Sequence, residues 1–238
     1  MMSTVITLFL LSQSVTDLYN LGNKYYEEGN YEKAIEVYES AVEHIAHAYL
    51  YYNLGNSYFK TGKLGKAILN YRKAYFFTPR DKDIANNLAF ARNYRIDKIR
   101  QVRNPLVDLW SNTFHSLSMR EAQMLMAIFF LIASILISYY IISRRSLFFH
   151  LFLISALLCI FFFVNWQAWA TELNQHHAVV TTPEVNALSG PGEDYKEILV
   201  IHDGSEVKIK EIRGDYALIQ LPGGFGGWIP NNTLEGIY

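Results

Sequence analysis

Leu21-Gly22-Asn23-Lys24-Tyr25 and Leu54-Gly55-Asn56-Ser57-Tyr58 repeat one pattern, set 33 residues apart. The same spacing joins Gly29 to Gly62, Ala34 to Ala67, Tyr38 to Tyr71 and Ala41 to Ala74. Small residues at these positions suit helices that cross closely, and Tyr38 and Tyr71 fill the space between helix pairs. Gly29-Asn30 and Thr61-Gly62-Lys63 supply the turn within each pair, because glycine accepts the backbone conformation that ends a helix. Pro79 closes the second pair. The spacing predicts two helix–turn–helix units, over 15–47 and 48–81.

The first unit is one residue short of 34 and has Ala46 where the second has its proline, which predicts a tight or irregular turn at Glu43–Ala48. After Pro79, the run Asp83 to Arg92 begins a third helix with no second helix of matching pattern. It reads as a cap over 82–101 on the apolar face of the second unit. The order bulky–x–x–Leu–Gly–x–x–Tyr, then Ala, aromatic, Ala and Pro, resembles the tetratricopeptide repeat. That resemblance implies an all-α repeat domain over 15–103, whose concave groove is lined by Tyr19, Asn20, Asn23, Tyr52, Asn53, Asn56 and Asn87. Asparagine amides can pair with both the donors and the acceptors of an extended peptide. The family's carboxylate clamp combines asparagines with basic residues. Here Asn23 and Asn53 match the asparagines, but Tyr19, Asp83 and Asn87 occupy the basic positions. A free C-terminal carboxylate is therefore not the expected ligand.

The 238 residues are 51% hydrophobic and only 18% charged, below the roughly 25% charged usual for globular chains. The net charge of −1 hides a split: residues 1–103 carry 14 basic and 10 acidic groups, residues 167–238 carry 4 and 10. No charge falls between Ala122 and Ile142 or between Ser146 and Trp166, two runs of 21 residues each. About 20 apolar residues cross a bilayer as a helix, so 122–142 and 146–166 are expected to form a transmembrane hairpin. Ser118-Met119-Arg120-Glu121 has the pattern of a capping box, and Trp166 and Trp169 fit an interfacial belt.

Arg144 and Arg145 fill the tight turn, which places it in the cytoplasm and both long arms on the outer side of a bacterial inner membrane. Arg103, Arg120 and the basic amino-terminal arm argue the other way. Val5 to Leu11 followed by Ser12-Gln13-Ser14 reads either as a signal peptide over 1–14 or as the apolar first turns of the helical region. A signal would export the arm. Leu106, Leu109, Trp110, Phe114 and Leu117 recur at helical spacing, so 104–121 is either an amphipathic juxtamembrane segment or a plain linker.

From His177 the period changes to two. Short alternating runs separated by Gly190-Pro191-Gly192, His202-Asp203-Gly204, Arg213-Gly214-Asp215 and Pro222-Gly223-Gly224 predict a small all-β barrel over 177–238. Asn186-Ala187-Leu188-Ser189-Gly190-Pro191 and Gly227-Trp228-Ile229-Pro230 resemble the bacterial SH3 domain, with Leu188 in place of the usual arginine. The resemblance implies a ligand surface at Tyr195, Tyr216, Phe225 and Trp228, for cell-wall peptides or partner segments; Trp228 also reads as core.

Catalysis has no constellation to carry it. Cys159 lies in an apolar run with no basic partner to lower its pKa. His44 and His47 share a helix face without a third ligand, and Glu27, Glu28, Glu32, Glu36 and Glu39 form a solvated acidic face. No enzyme activity, cofactor or metal is expected. Near-zero net charge offers no case for nucleic acid, and one cysteine excludes an internal disulfide.

The whole order, with Pro79-Arg80-Asp81-Lys82-Asp83-Ile84, Asn87-Leu88, Ala91-Arg92 and Arg95-Ile96-Asp97-Lys98, resembles the BatE proteins of the Bacteroides aerotolerance operon. This implies a non-enzymatic, membrane-anchored scaffold that works with von Willebrand A-domain proteins and a MoxR-type ATPase. The alternative is a wall anchor or sensor that binds peptidoglycan through the SH3-like domain.

Overall fold

The computed structural model describes residues 2–98, 113 and 116–237. Two compact units emerge: Met1–Val102 with Gln175–Tyr238, and Arg103–Asn174.

The first unit begins with five helices: α1 Met2–Glu27, α2 Tyr31–His44, α3 Ala48–Lys60, α4 Leu64–Phe77 and α5 Lys82–Asn93. Gly29 and Gly62 end α1 and α3 at φ of +76° and +77°, a region that costs other residues more. Asn30 caps α2 by accepting from the Lys33 N–H, and Asp81 caps α5 by accepting from Asp83 and Ile84. The irregular first junction is short. Ile45 is extended, and His47 Nδ1 accepts from the Tyr49 N–H, so this histidine caps α3.

Packing follows the repeat. Ala34, Ala41, Ala67 and Ala74 are fully buried between crossing helices. A Cβ on Gly22 would lie 2.4 Å from the Tyr38 ring, and one on Gly55 would lie 2.8 Å from the Tyr71 ring. Each tyrosine thus seats on the glycine of its own pair. The capping helix ends at Asn93, short of the expected 101, and Arg95 and Asp97 beyond it turn to the sheet.

Seven strands follow: β1 His177–Val180, β2 Glu184–Leu188, β3 Glu197–His202, β4 Glu206–Arg213, β5 Tyr216–Gln220, β6 Gly226–Pro230 and β7 Leu234–Gly236. All pairs are antiparallel, in the order β3-β2-β6-β5-β4-β1-β7. The ladder is open at β3 and β7, where the sequence reading expected closure into a barrel. Gly226 permits the closest approach, since a Cβ there would sit 1.9 Å from the Ile219 carbonyl oxygen. Ala178, Val180, Ala187, Ile201, Val207, Ile219 and Ile229 form the sheet's core.

Sheet and helices share a core as well, because Val179 and Ile237 pack into the helical cluster. Charge fastens the join. The Arg92 guanidinium donates two 2.7 Å bonds to the Glu206 carboxylate, Arg95 Nη1 donates a third at 3.3 Å, and Arg72 Nε lies 3.5 Å away. Asp97 accepts from the His202 N–H and the Ser205 hydroxyl, and it meets His202 Nδ1 at 2.9 Å. Asp203 Oδ1 accepts from the Gly65 N–H at 2.9 Å, and a Cβ on Gly65 would clash with both Asp203 and the Val180 carbonyl.

Burial alone would raise the Glu206 carboxyl. Arg92, by charge and hydrogen bonds, then Arg72 and Arg95 by charge, outweigh it and hold the group at about 2. Asp97 is also lowered: burial opposes, and the bonds from Ser205 and His202 prevail. Burial pushes Asp203 up despite its backbone donors.

The second unit contains α6 Met119–Ser143 and α7 Ser146–Leu173. The capping box is present: Ser118 N–H donates to Glu121, and the Glu121 N–H donates to Ser118 Oγ. Arg144, at φ +56°, ends α6, and Arg145 precedes α7, so these two residues make the whole turn. Ser155 Oγ donates to the Phe129 carbonyl at 2.9 Å, and Phe129 stacks on Phe162. Cys159 packs with its sulfur 3.7 Å from the Met126 carbonyl. His150 Nδ1 lies 2.7 Å from the Ser146 carbonyl of its own helix. Trp169 is buried, with its indole N–H on the Leu117 carbonyl at 2.8 Å. It packs against the residue that precedes the capping box of α6.

The helices have 25 and 28 residues, with peak mean hydropathies of 2.5 and 2.7. Both are long and apolar enough to span a membrane. Only 6% of each apolar window is buried, unlike the core helices of a water-soluble protein. Leu106, Leu109, Trp110 and Phe114 of the expected amphipathic segment lie outside the described residues.

Candidate functional groove

The first helices of the pairs, α1 and α3, and the cap α5 carry the expected groove residues, and hydrogen bonds join most of these into a ladder. Asn23 Oδ1 accepts from the Tyr38 hydroxyl at 2.6 Å and from Asn53 Nδ2 at 2.9 Å. Asn53 Nδ2 also approaches the Tyr19 hydroxyl at 3.3 Å. One repeat later the pattern returns. Asn56 Oδ1 accepts from Tyr71 at 2.7 Å and from Asn87 Nδ2 at 3.0 Å, and Asn87 Nδ2 reaches the Tyr52 hydroxyl at 2.9 Å. Each asparagine hub therefore ties its own second helix to the next first helix.

Burial raises the Tyr38 and Tyr71 hydroxyls well above the usual phenol range. They stay protonated and keep donating. The Tyr58 hydroxyl similarly bonds Glu39 on α2.

Six of the seven expected groove residues join this ladder, while Asn20 is exposed and takes no part in it. Sequence reasoning treated Tyr38 and Tyr71 as packing residues alone. Their hydroxyls were the missing half, and their position 15 residues after each asparagine was the available signal. The ladder also occupies amide groups that were expected to face a ligand. Asn23, Tyr26, Glu27, Tyr38, Asn53 and Asn56 line a depression of about 80 Å³. Tyr26 and Glu27 were not among the expected groove residues.

The expected ligand surface on the sheet is more scattered. Tyr195 and Phe225 are each 50% exposed, but Trp228 is 8% exposed and sits under the Arg213 guanidinium. The Tyr195 ring covers Gly190, and Tyr216 pairs with Pro230 across the ladder. No ring contact among the described residues joins these four. Nor do the described residues contain a group of three or more His, Cys, Asp or Glu able to hold a metal ion.

The helix pairs, with small residues at their crossings and a groove on their first helices, define a tetratricopeptide-repeat region. Comparison with family models agrees: the tetratricopeptide repeat matches residues 17–45 and again residues 48–81. A search of curated proteins finds no match.

Proposed function

We propose that the protein is a non-enzymatic, membrane-anchored scaffold that grips a partner protein in its repeat groove. The two-register ladder carries this reading. It stiffens the first helices into a preformed surface while Asn20, Glu27 and other side chains remain exposed along it. A photo-crosslinking amino acid at Asn20, in the groove, is expected to trap a discrete protein partner in native membranes. The same probe at exposed Glu36, on α2, is expected to trap none. Equal trapping at both positions overturns the groove reading.

Two helices long and apolar enough to cross a bilayer, joined only by Arg144 and Arg145, support a two-pass anchor in a bacterial inner membrane with its turn in the cytoplasm. An even number of crossings returns the chain to the side it left. The Glu206 cluster, which joins residues from before and after the hairpin, supports both arms lying on one side. The resemblance to the BatE proteins suggests an envelope complex linked to aerotolerance, with von Willebrand A-domain proteins and a MoxR-type ATPase as partners.

A second reading takes the sheet as a bacterial SH3-like module that binds peptidoglycan, favoured by the half-exposed rings of Tyr195 and Phe225. Co-sedimentation of the full chain with purified wall material, lost on replacing both rings by serine, is the expected result. Sedimentation unchanged by that replacement would count against it.

A further inference from the structure

The groove's two registers share one backbone pattern but differ in chemistry. The first is built from Asn23, Tyr26 and Glu27 on α1 with Asn53 and Asn56 on α3. Stepping on by the repeat of 33 or 34 residues gives Asn56, Phe59 and Lys60, then Asn87 and Phe90. Glu27 is thereby replaced by Lys60, and Asn56 by Phe90.

The first register holds a carboxylate with no ion pair among the described residues, beside two tyrosine rings and amide groups. The second holds an aromatic cluster. Phe59 lies 5.7 Å from Phe90 and 5.4 Å from Tyr94, and Phe90 lies 5.1 Å from Tyr94. Phe90 and Tyr94 are nevertheless 51% and 59% exposed, which leaves apolar surface open in the register that carries Lys60 one residue after Phe59.

A carboxylate flanked by aromatic rings attracts an ammonium or guanidinium, and the ring faces add to that attraction. The open aromatic cluster rewards an apolar side chain, and Lys60 disfavours a second cation there. We infer that the groove takes an extended segment with a lysine or arginine at the first register and an apolar side chain at the second. The inference rests on the groove reading above and narrows its ligand. Neighbouring helices lie about 8–10 Å apart, and an extended chain rises about 3.3 Å per residue, so the two side chains are two or three residues apart.

The test uses fluorescein-labelled glycine-serine decapeptides carrying Arg and Phe three residues apart, in both orders. Control peptides replace Arg by Glu or Phe by Ser. Anisotropy is read on the full chain in detergent micelles. One Arg/Phe order is expected to bind about tenfold tighter than its Glu/Phe counterpart, as the swap turns attraction into repulsion.

In the full chain, Glu27→Lys is expected to reverse the Arg preference and leave the Phe preference. Phe90→Ser is expected to do the opposite. Circular dichroism checks that both variants keep their helices. Binding of all peptides alike, or an Arg preference that survives Glu27→Lys, overturns the inference and leaves the groove reading standing. Failure of every peptide to bind also overturns the inference, while the groove reading stands or falls by the Asn20 and Glu36 crosslinks.

Discussion

The join between repeats and sheet and the join between the two long helices are made from opposite materials, charge in one and apolar surface in the other. The first gathers Glu206 with Arg72, Arg92 and Arg95, and Asp97 with His202 and Ser205. The second relies on ring stacking, close helix contact and single hydrogen bonds such as Ser155 to the Phe129 carbonyl. Partly buried charges can be satisfied where water reaches their edges. Between apolar helices, each ion would bring a desolvation cost that few partners repay.

The largest break in that contrast is Glu206→Gln. It leaves three guanidinium groups facing a neutral amide, and loss of one partner from this partly buried cluster costs about 2–3 kcal/mol. Denaturant titration of the full chain is expected to show that loss in the repeats and sheet together, with the hairpin's helical signal unchanged. An unchanged midpoint would remove the cluster from the account.

Acid should act in the same place. Glu206 sits at about 2 when folded against an ordinary value of 4.5, and Asp97 is also lowered. Their stabilisation is complete above the ordinary carboxylate range. It fades as pH falls from about 4.5 towards 2, because protonation then favours the unfolded chain. The long helices carry carboxylates only near their ends, at Glu121 and Glu172, and should ride through this window. Asp203, raised by burial, works the other way and gains as pH falls towards the ordinary carboxylate range. Below about 4.5, therefore, a net rise in stability on acidification would contradict the sign.

Asn23→Ala comes next. It strips the Tyr38 hydroxyl and Asn53 of a shared acceptor, at a cost of about 1–3 kcal/mol. Asn56→Ala should cost a similar amount, because the hydrogen-bond pattern is duplicated. Thermal melts that separate the two by more than about 2 kcal/mol would mean that the registers are not equivalent in structure.

The smallest effect belongs to the hairpin. Ser155→Ala removes one inter-helix bond, worth about 0.6 kcal/mol on average between apolar helices. A loss as large as that of Glu206→Gln, measured by unfolding in mixed micelles, would erase the contrast.

How legible each join was depends on sequence distance. The 33-residue spacing exposed the helix pairs because Gly22 must accept the Tyr38 ring and Gly55 the Tyr71 ring, a constraint written twice. The apolar runs exposed the long helices in the same direct way. The Glu206 cluster joins residues 111 and 114 positions apart and has no period. Its only trace was the excess of basic groups before the hairpin and of acidic groups after it. Asn23 and Asn56 were visible as groove residues, but the hydroxyls that hold them were hidden inside tyrosines already explained by packing. The Leu117 carbonyl that Trp169 meets lies 52 residues away, and no spacing in the sequence pointed to it.

The most direct test of the claim that repeats and sheet form one body is a double-mutant cycle on Arg92 and Glu206. Arg92→Ala, Glu206→Ala and the pair would be compared by denaturant titration of the full chain, with hydrogen exchange followed in α4, α5, β1 and β4. A coupling of about 2–3 kcal/mol is expected, with loss of protection in helices and strands together. Additive effects, with the strands opening while the helices stay protected, would contradict it.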